Sequence, residues 1–215
     1  MKIICLSQSE TGVYPPIYQA DMTAPPEGCA MVPDDLDTSV FYEYRGFVEV
    51  STDGSTVTGM TGNQSAFDAW QAENASAELG AARADKLAEL SASANAVIVA
   101  GCDVTLAGGN TEHFSLTEAD QINLTAATAA VEAGAAGYPY HADGALCKIY
   151  PAADILAIGT AAITHKLYHT TYCNHAMTWA RRAEAKTELD SIYYGGPLPD
   201  DLAANMEAVL NAAGG

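Results

Sequence analysis

Apolar and polar positions change rhythm twice along the chain. Up to residue 63 the apolar residues come in short clusters rich in β-formers. Lys2 to Leu6 predicts a strand. Phe41-Tyr42-Glu43-Tyr44 and Phe47-Val48-Glu49-Val50 predict a hairpin. Thr52-Asp53-Gly54-Ser55 supplies an Asp-Gly turn, and Thr56-Val57-Thr58 returns from it. Pro15-Pro16 and Pro25-Pro26-Glu27-Gly28 punctuate the stretch. Residues 1–63 therefore read as a small antiparallel β-domain, with few residues for a core of its own.

From Gln64 the spacing turns helical. Phe67, Trp70, Leu79, Ala82, Leu87, Leu90, Ala94, Val97 and Ile98 predict a connecting helix over 64–100, weakened at Gly80. Within it Leu87, Leu90, Ala94 and Val97 step by three, four and three, which is a short heptad seam. Such a seam serves either a helix packed on its own domain or a self-associating coiled coil.

Beyond Gly101 a theme repeats over 101–215. Val104-Thr105-Leu106 and Glu112-His113-Phe114-Ser115 flank a Gly108-Gly109-Asn110 turn. Tyr138 to His141 and Leu146 to Tyr150 flank Asp143-Gly144. A helix follows each hairpin. Thr117 and Asp120 form a capping-box variant at the start of the first, which runs to about Ala133. Pro151 opens the second, which runs through Trp179 to about Lys186. A last amphipathic helix covers Asp200 to Asn211. Helices interleaved with hairpins, and no parallel βαβ unit, make the class α+β.

Charge sharpens the picture. The 215 residues carry 9 Lys and Arg against 27 Asp and Glu, a net charge of −18. Phosphate backbones and anionic lipid repel such a chain, so neither nucleic acid nor membrane is an expected partner. An apolar fraction of 49% excludes a disordered acidic tail. Met1 to Leu6 is too short for the core of a signal peptide. The 5 cysteines lie far apart with no CxxC, and read as reduced thiols. Reduced thiols fit a cytosol as the expected setting.

Few residues suggest chemistry. His165 and His169 stand four apart on the predicted helix, with Cys173 four further on, and i,i+4 imidazoles can share a Zn²⁺. At a rise of about 1.5 Å per residue, His165 and Cys173 are about 12 Å apart along the axis. One ion on a straight helix cannot take all three. The other reading is a packed stripe with Ile158, Ala162, Tyr172 and Ala176. Neither GxSxG, HExxH, a Walker loop nor GxGxxG occurs. No catalytic residue and no cofactor is expected, and the chain reads as no enzyme. Tyrosine dominates the aromatics, with 11 against 4 Phe and 2 Trp. Tyr14, Tyr18, Tyr42 and Tyr44 cluster in the β-domain. They suit either a small core or a partner interface, since one edge of the ring is apolar and the other wet.

Three stretches carry a family resemblance. Ala96 to Gly101, Gly109 to Thr117 and Asp120-Gln121-Ile122-Asn123-Leu124 resemble an uncharacterised domain found near the C-termini of phage and prophage tail proteins. Tyr140 to Gly144 and His169 to Asn174 resemble its Gram-positive branch, and the likeness spans roughly 75–190. The layout of the first 70 residues resembles small tail-fibre or baseplate accessory proteins. The resemblance implies a tail-associated protein acting by protein–protein contact, as a baseplate or fibre component or as a fibre-assembly chaperone. It lends no catalytic residues. Because tail fibres are commonly threefold, it also implies a homo-oligomer, a trimer foremost, through the Leu87–Val97 seam. The competing class is a metal protein or tail-associated hydrolase centred on His165 and His169.

Overall fold

A computed structural model describes residues 1–214. Two compact units divide the chain, Met1–Glu78 and Leu79–Gly215. The expected boundaries were 63 and 100. The observed division instead falls inside one helix, α2 (Gln64–Ala100), so the segment expected as a separate connector belongs partly to each unit.

The first unit is built on β1 (Lys2–Cys5), β2 (Tyr18–Gln19), β3 (Cys29–Val32), β4 (Val48–Asp53) and β5 (Thr56–Gly62), ordered β2-β1-β3-β5-β4. All pairs are antiparallel except β3 with β5, which meet in parallel at Met31 and Thr56. The Asp53-Gly54 turn joins β4 to β5 as expected, with Gly54 at φ 59. Ile4, Ala30, Val32, Phe41, Val48 and Val57 form the buried core.

The expected hairpin from Phe41 to Val50 is corrected. Ser39–Glu43 is a helical turn, α1. Asp37 Oδ1 accepts the Ser39 N–H at 2.9 Å and starts it. Arg45 and Gly46 both take positive φ, and Gly46 N–H donates back to Phe41 O at 2.9 Å, which stops it. A Cβ at Gly46 would stand 2.8 Å from Tyr14 O, so only glycine fits. These short-range caps outweigh the β propensity of Phe41, Tyr42 and Tyr44.

The second unit holds two hairpins, β6 (Cys102–Thr105) with β7 (Thr111–Phe114) and β8 (Gly137–Tyr140) with β9 (Lys148–Pro151). Its helices besides α2 are α3 (Glu118–Glu132), α4 (Ala152–Arg182), α5 (Lys186–Ser191) and α6 (Asp200–Ala212). With its small N-terminal sheet and these helices the protein is α+β. Thr117 and Asp120 close a complete capping box on α3. Buried Asp154 near the start of α4 accepts the Ala107 N–H at 2.8 Å, which ties the β6–β7 turn to that helix.

Two apolar clusters fill this unit. Phe114, Leu116, Leu124, Tyr150, Ile155 and Ile158 are among the residues that join the hairpins to α3 and α4. Leu90, Tyr172, Ala176, Ala180, Leu189, Ile192 and Met206 join α2 to α4, α5 and α6. The long helix ends at Arg182 and not near Lys186. Ala183 turns extended and is 1% exposed, and its carbonyl accepts Arg83 Nη2 at 2.8 Å. Burial of Ala183 and its bond from Arg83 hold the chain extended there, and α5 restarts beyond it.

Candidate functional site

The two histidines of the expected metal pair do stand together. The His165 and His169 rings lie 4.5 Å apart at 65°. Each already has a partner. His165 Nε2 donates to Val97 O at 3.0 Å, and His169 Nδ1 lies 2.9 Å from the Tyr194 hydroxyl. Burial, helped by neighbouring His165, pushes His169 below the ordinary imidazole value. The structure does not bring Cys173 to them. Its thiol faces Leu90 O at 3.7 Å and Met177 Sδ at 3.6 Å. Burial raises the Cys173 thiol above its ordinary value. Among the described residues no three His, Cys, Asp or Glu side chains converge on a point that could hold an ion. As the axial spacing of about 12 Å implies, Cys173 stands apart from the histidine pair, facing Leu90 of α2.

A different role unites two histidines. The last four carbonyls of an α-helix lack intrahelical partners. At the end of α2 all four are satisfied. Val97 O accepts from His165, Ile98 O from Gly101 N–H at 3.1 Å, Val99 O from Leu116 N–H at 3.0 Å, and Ala100 O from His113 Nε2 at 2.8 Å. The last turn of α2 carries no basic residue, so imidazoles from β7 and α4 take the place of one. Gly101 makes the close approach with φ 85, and a Cβ there would overlap Phe114 O.

His113 also meets Asp103 Oδ1 at 2.6 Å through Nδ1. Both ring nitrogens face acceptors, so the imidazolium is the form that satisfies both. The Asp103 hydrogen bond, then that to Ala100, holds the His113 pKa above its ordinary value. Asp143 stands 3.9 Å from His113 and accepts the Ser115 N–H at 3.0 Å, which holds its own carboxyl low. A Ser, a His and two Asp thus gather at the hairpin ends. A general base needs a free imidazole nitrogen, and here neither is free. The group ties hairpins to helix.

The tyrosines of the first unit divide. Tyr14 and Tyr44 pack on its core, and Tyr44 donates to Gln64 Oε1 at 2.8 Å. Tyr18 and Tyr42 are exposed, Tyr42 by 62%. The seam on α2 packs largely within its own chain. Leu90 is 0% exposed and Ala94 4%, Leu87 and Val97 are half-buried, and Leu90 packs on Tyr172 and Ala176 of the same chain.

One surface feature lay outside the expected candidates. A groove of about 300 Å³ runs between α3 and α4. Leu116, Leu124, Ala129 and Ala162 give it apolar walls, and Gly159 lets the helices close in, since a Cβ there would stand 2.7 Å from Thr128 Oγ1. Ile163 lines its rim and is 67% exposed. Ile122, 64% exposed, is seven residues before Ala129 and so shares its face of α3. Lys166 closes one end, donating to Gln121 Oε1 at 2.6 Å, and Glu132 lines the other. The legible signal was Leu156 and Ile163, apolar, seven apart, and off the buried face of α4.

An α+β domain of two hairpins braced by long helices is the class this second unit defines. Residues 81–196, just over half of the chain, match the family described as Domain of unknown function (DUF4376), and the chain belongs to that family. No curated protein and no solved structure matches it.

Proposed function

We propose that the protein is a tail-associated accessory of a phage or prophage and that it acts by protein–protein contact, not by catalysis. The observation that carries the contact is the apolar surface of the family domain. Ile122, Ile149 and Ile163 are each more than 60% exposed, and Leu146 is 91% exposed. Of these, Ile163 lines the α3–α4 groove, and an exposed large apolar residue beside an apolar groove marks an interaction surface more than a scattered one does. The tail setting is supported by the resemblance of Gly109–Thr117 and Asp120–Leu124 to the uncharacterised domain of tail proteins. The net charge of −18 favours protein surfaces bearing basic residues over nucleic acid.

Two roles share this reading, a structural baseplate or fibre component and an assembly chaperone. Mass spectrometry of purified particles and of the producing lysate separates them. Presence in particles means a component, and presence in lysate alone means a chaperone. Absence from both the particles and any complex with tail proteins overturns the tail reading. Metal analysis of the purified protein tests the competing reading, which would require stoichiometric zinc that survives dialysis.

A further inference from the structure

The α3–α4 groove has opposite charges at its two ends. Lys166 stands at the Gln121 end and Glu132 at the other, about 16 Å apart along α3 at 1.5 Å per residue. Neither makes an ion pair among the described residues. Lys166 instead donates to Gln121 Oε1 at 2.6 Å, which leaves its charge without a counter-charge at that end of the groove. Between the ends the floor is apolar, Ile163 stands exposed at its rim, and Ile122 is exposed on the Ala129 face of α3.

A strip that is positive at one end, negative at the other and apolar between is its own complement when reversed. From this we infer that the α3–α4 face binds a second copy of the chain about a twofold axis that lies in the interface and crosses the groove at mid-length. That operation reverses the groove. It brings Lys166 of each copy to the end where Glu132 of the other copy stands, so one contact surface yields two identical ion pairs. Ile122 and Ile163 of both copies are covered, and α3 and α4 of the two chains make a four-helix layer. The alternative axis, along the groove, would set lysine against lysine and glutamate against glutamate. The charges therefore select the antiparallel arrangement. This inference stands on the groove alone and does not depend on the tail setting.

The full-length protein is measured by sedimentation equilibrium up to about 0.5 mM, alone and as four variants. The wild type is expected to reach the mass of two chains. Lys166→Glu and Glu132→Lys should each weaken the dimer at least about tenfold, because each reversal turns two attractive pairs into repulsive ones. The double reversal should restore affinity to within about threefold of wild type. Ile163→Asp should abolish the dimer. All three positions face solvent, so far-ultraviolet circular dichroism matching the wild type is expected for each variant. A single-chain mass at every concentration overturns the inference, whether the groove then takes another protein or a small apolar ligand. So does any oligomer that ignores the charge reversals, or a double reversal no tighter than the single ones.

Discussion

At the scale of single residues, the histidines decide how the second unit holds its longest helix end. His113 and His165 reach the carbonyls of Ala100 and Val97, and His113 is further held by Asp103. The Asp103 bond raises the folded-state pKa of His113 above the unfolded value of about 6.5. Its stabilisation is therefore complete below about pH 6.5 and disappears as pH rises through the folded value. His169 works in the opposite sense. Burial lowers it, so its contribution is present at high pH and is lost as pH falls through its unfolded and then its folded value. Asp143 and Glu112 are held low by Ser115 and Lys148, and their contributions fade only on acidification below about pH 4. Comparison with His113→Gln isolates the first effect. Between about pH 5.5 and about pH 8.5 the urea midpoint of the wild type should fall relative to that of His113→Gln. A constant difference across that range would mean that His113 titrates alike in the folded and unfolded states.

At the scale of elements, the seam on α2 shows what one chain's pattern can and cannot decide. Steps of three and four place Leu87, Leu90, Ala94 and Val97 on one stripe whether the helix packs on its own domain or on a copy of itself. The structure buries Leu90 and Ala94, and packs Leu87 and Leu90 in one cluster with Tyr172 and Ala176 of the same chain. Leu90→Ala should therefore destabilise the second unit by about 2–5 kcal/mol, the range for a buried leucine, with no change in assembly mass beyond what unfolding causes. Chemical denaturation beside light scattering reads both, and loss of an oligomer with stability intact would restore the coiled coil. Elements whose signals are local were legible. The Asp53-Gly54 and Asp143-Gly144 turns, the Thr117–Asp120 box and the Gly101 break each act over a few residues and appear where their chemistry puts them. Elements fixed by distant contacts were not. Ala183 leaves the helix because its packing and the Arg83 bond need it extended, and no neighbour of Ala183 in the chain announces either. The groove was illegible for the same reason, since Lys166 and Glu132 are 34 positions apart and meet one cleft only after α3 and α4 pack. His165 was legible as one of a histidine pair but not as a helix cap, because Val97 lies 68 positions away.

At the scale of the molecule, burial separates the chain into units of unequal strength. The first unit buries eight apolar residues, Ile3, Ile4, Ala30, Val32, Phe41, Phe47, Val48 and Val57. The cores of the second draw on Leu79 through Leu210, with Tyr150, Phe114 and Leu90 almost wholly buried. At about 25 cal/mol per Å² of apolar surface removed from water, a core of larger side chains in greater number supports a more stable fold. A fragment of residues 79–215 should thus fold by itself, since both of its clusters are complete from Leu79 onward. It should show a cooperative thermal transition and keep the fluorescence of Trp179, whose indole donates to Glu188 Oε1 at 3.0 Å. A fragment of residues 1–78 should melt at a lower temperature, because a core that small leaves little margin over chain entropy. Amide exchange on the full chain gives the same ordering without cutting it. The amides of Phe114, Leu116, Leu124 and Ile158 should exchange last, and those of β2 and of the exposed Asp21–Gly28 stretch first. Slowest exchange in β1 or β3 would reverse the ranking. It would mean that the N-terminal sheet, and not the family domain, is the stable part of the molecule.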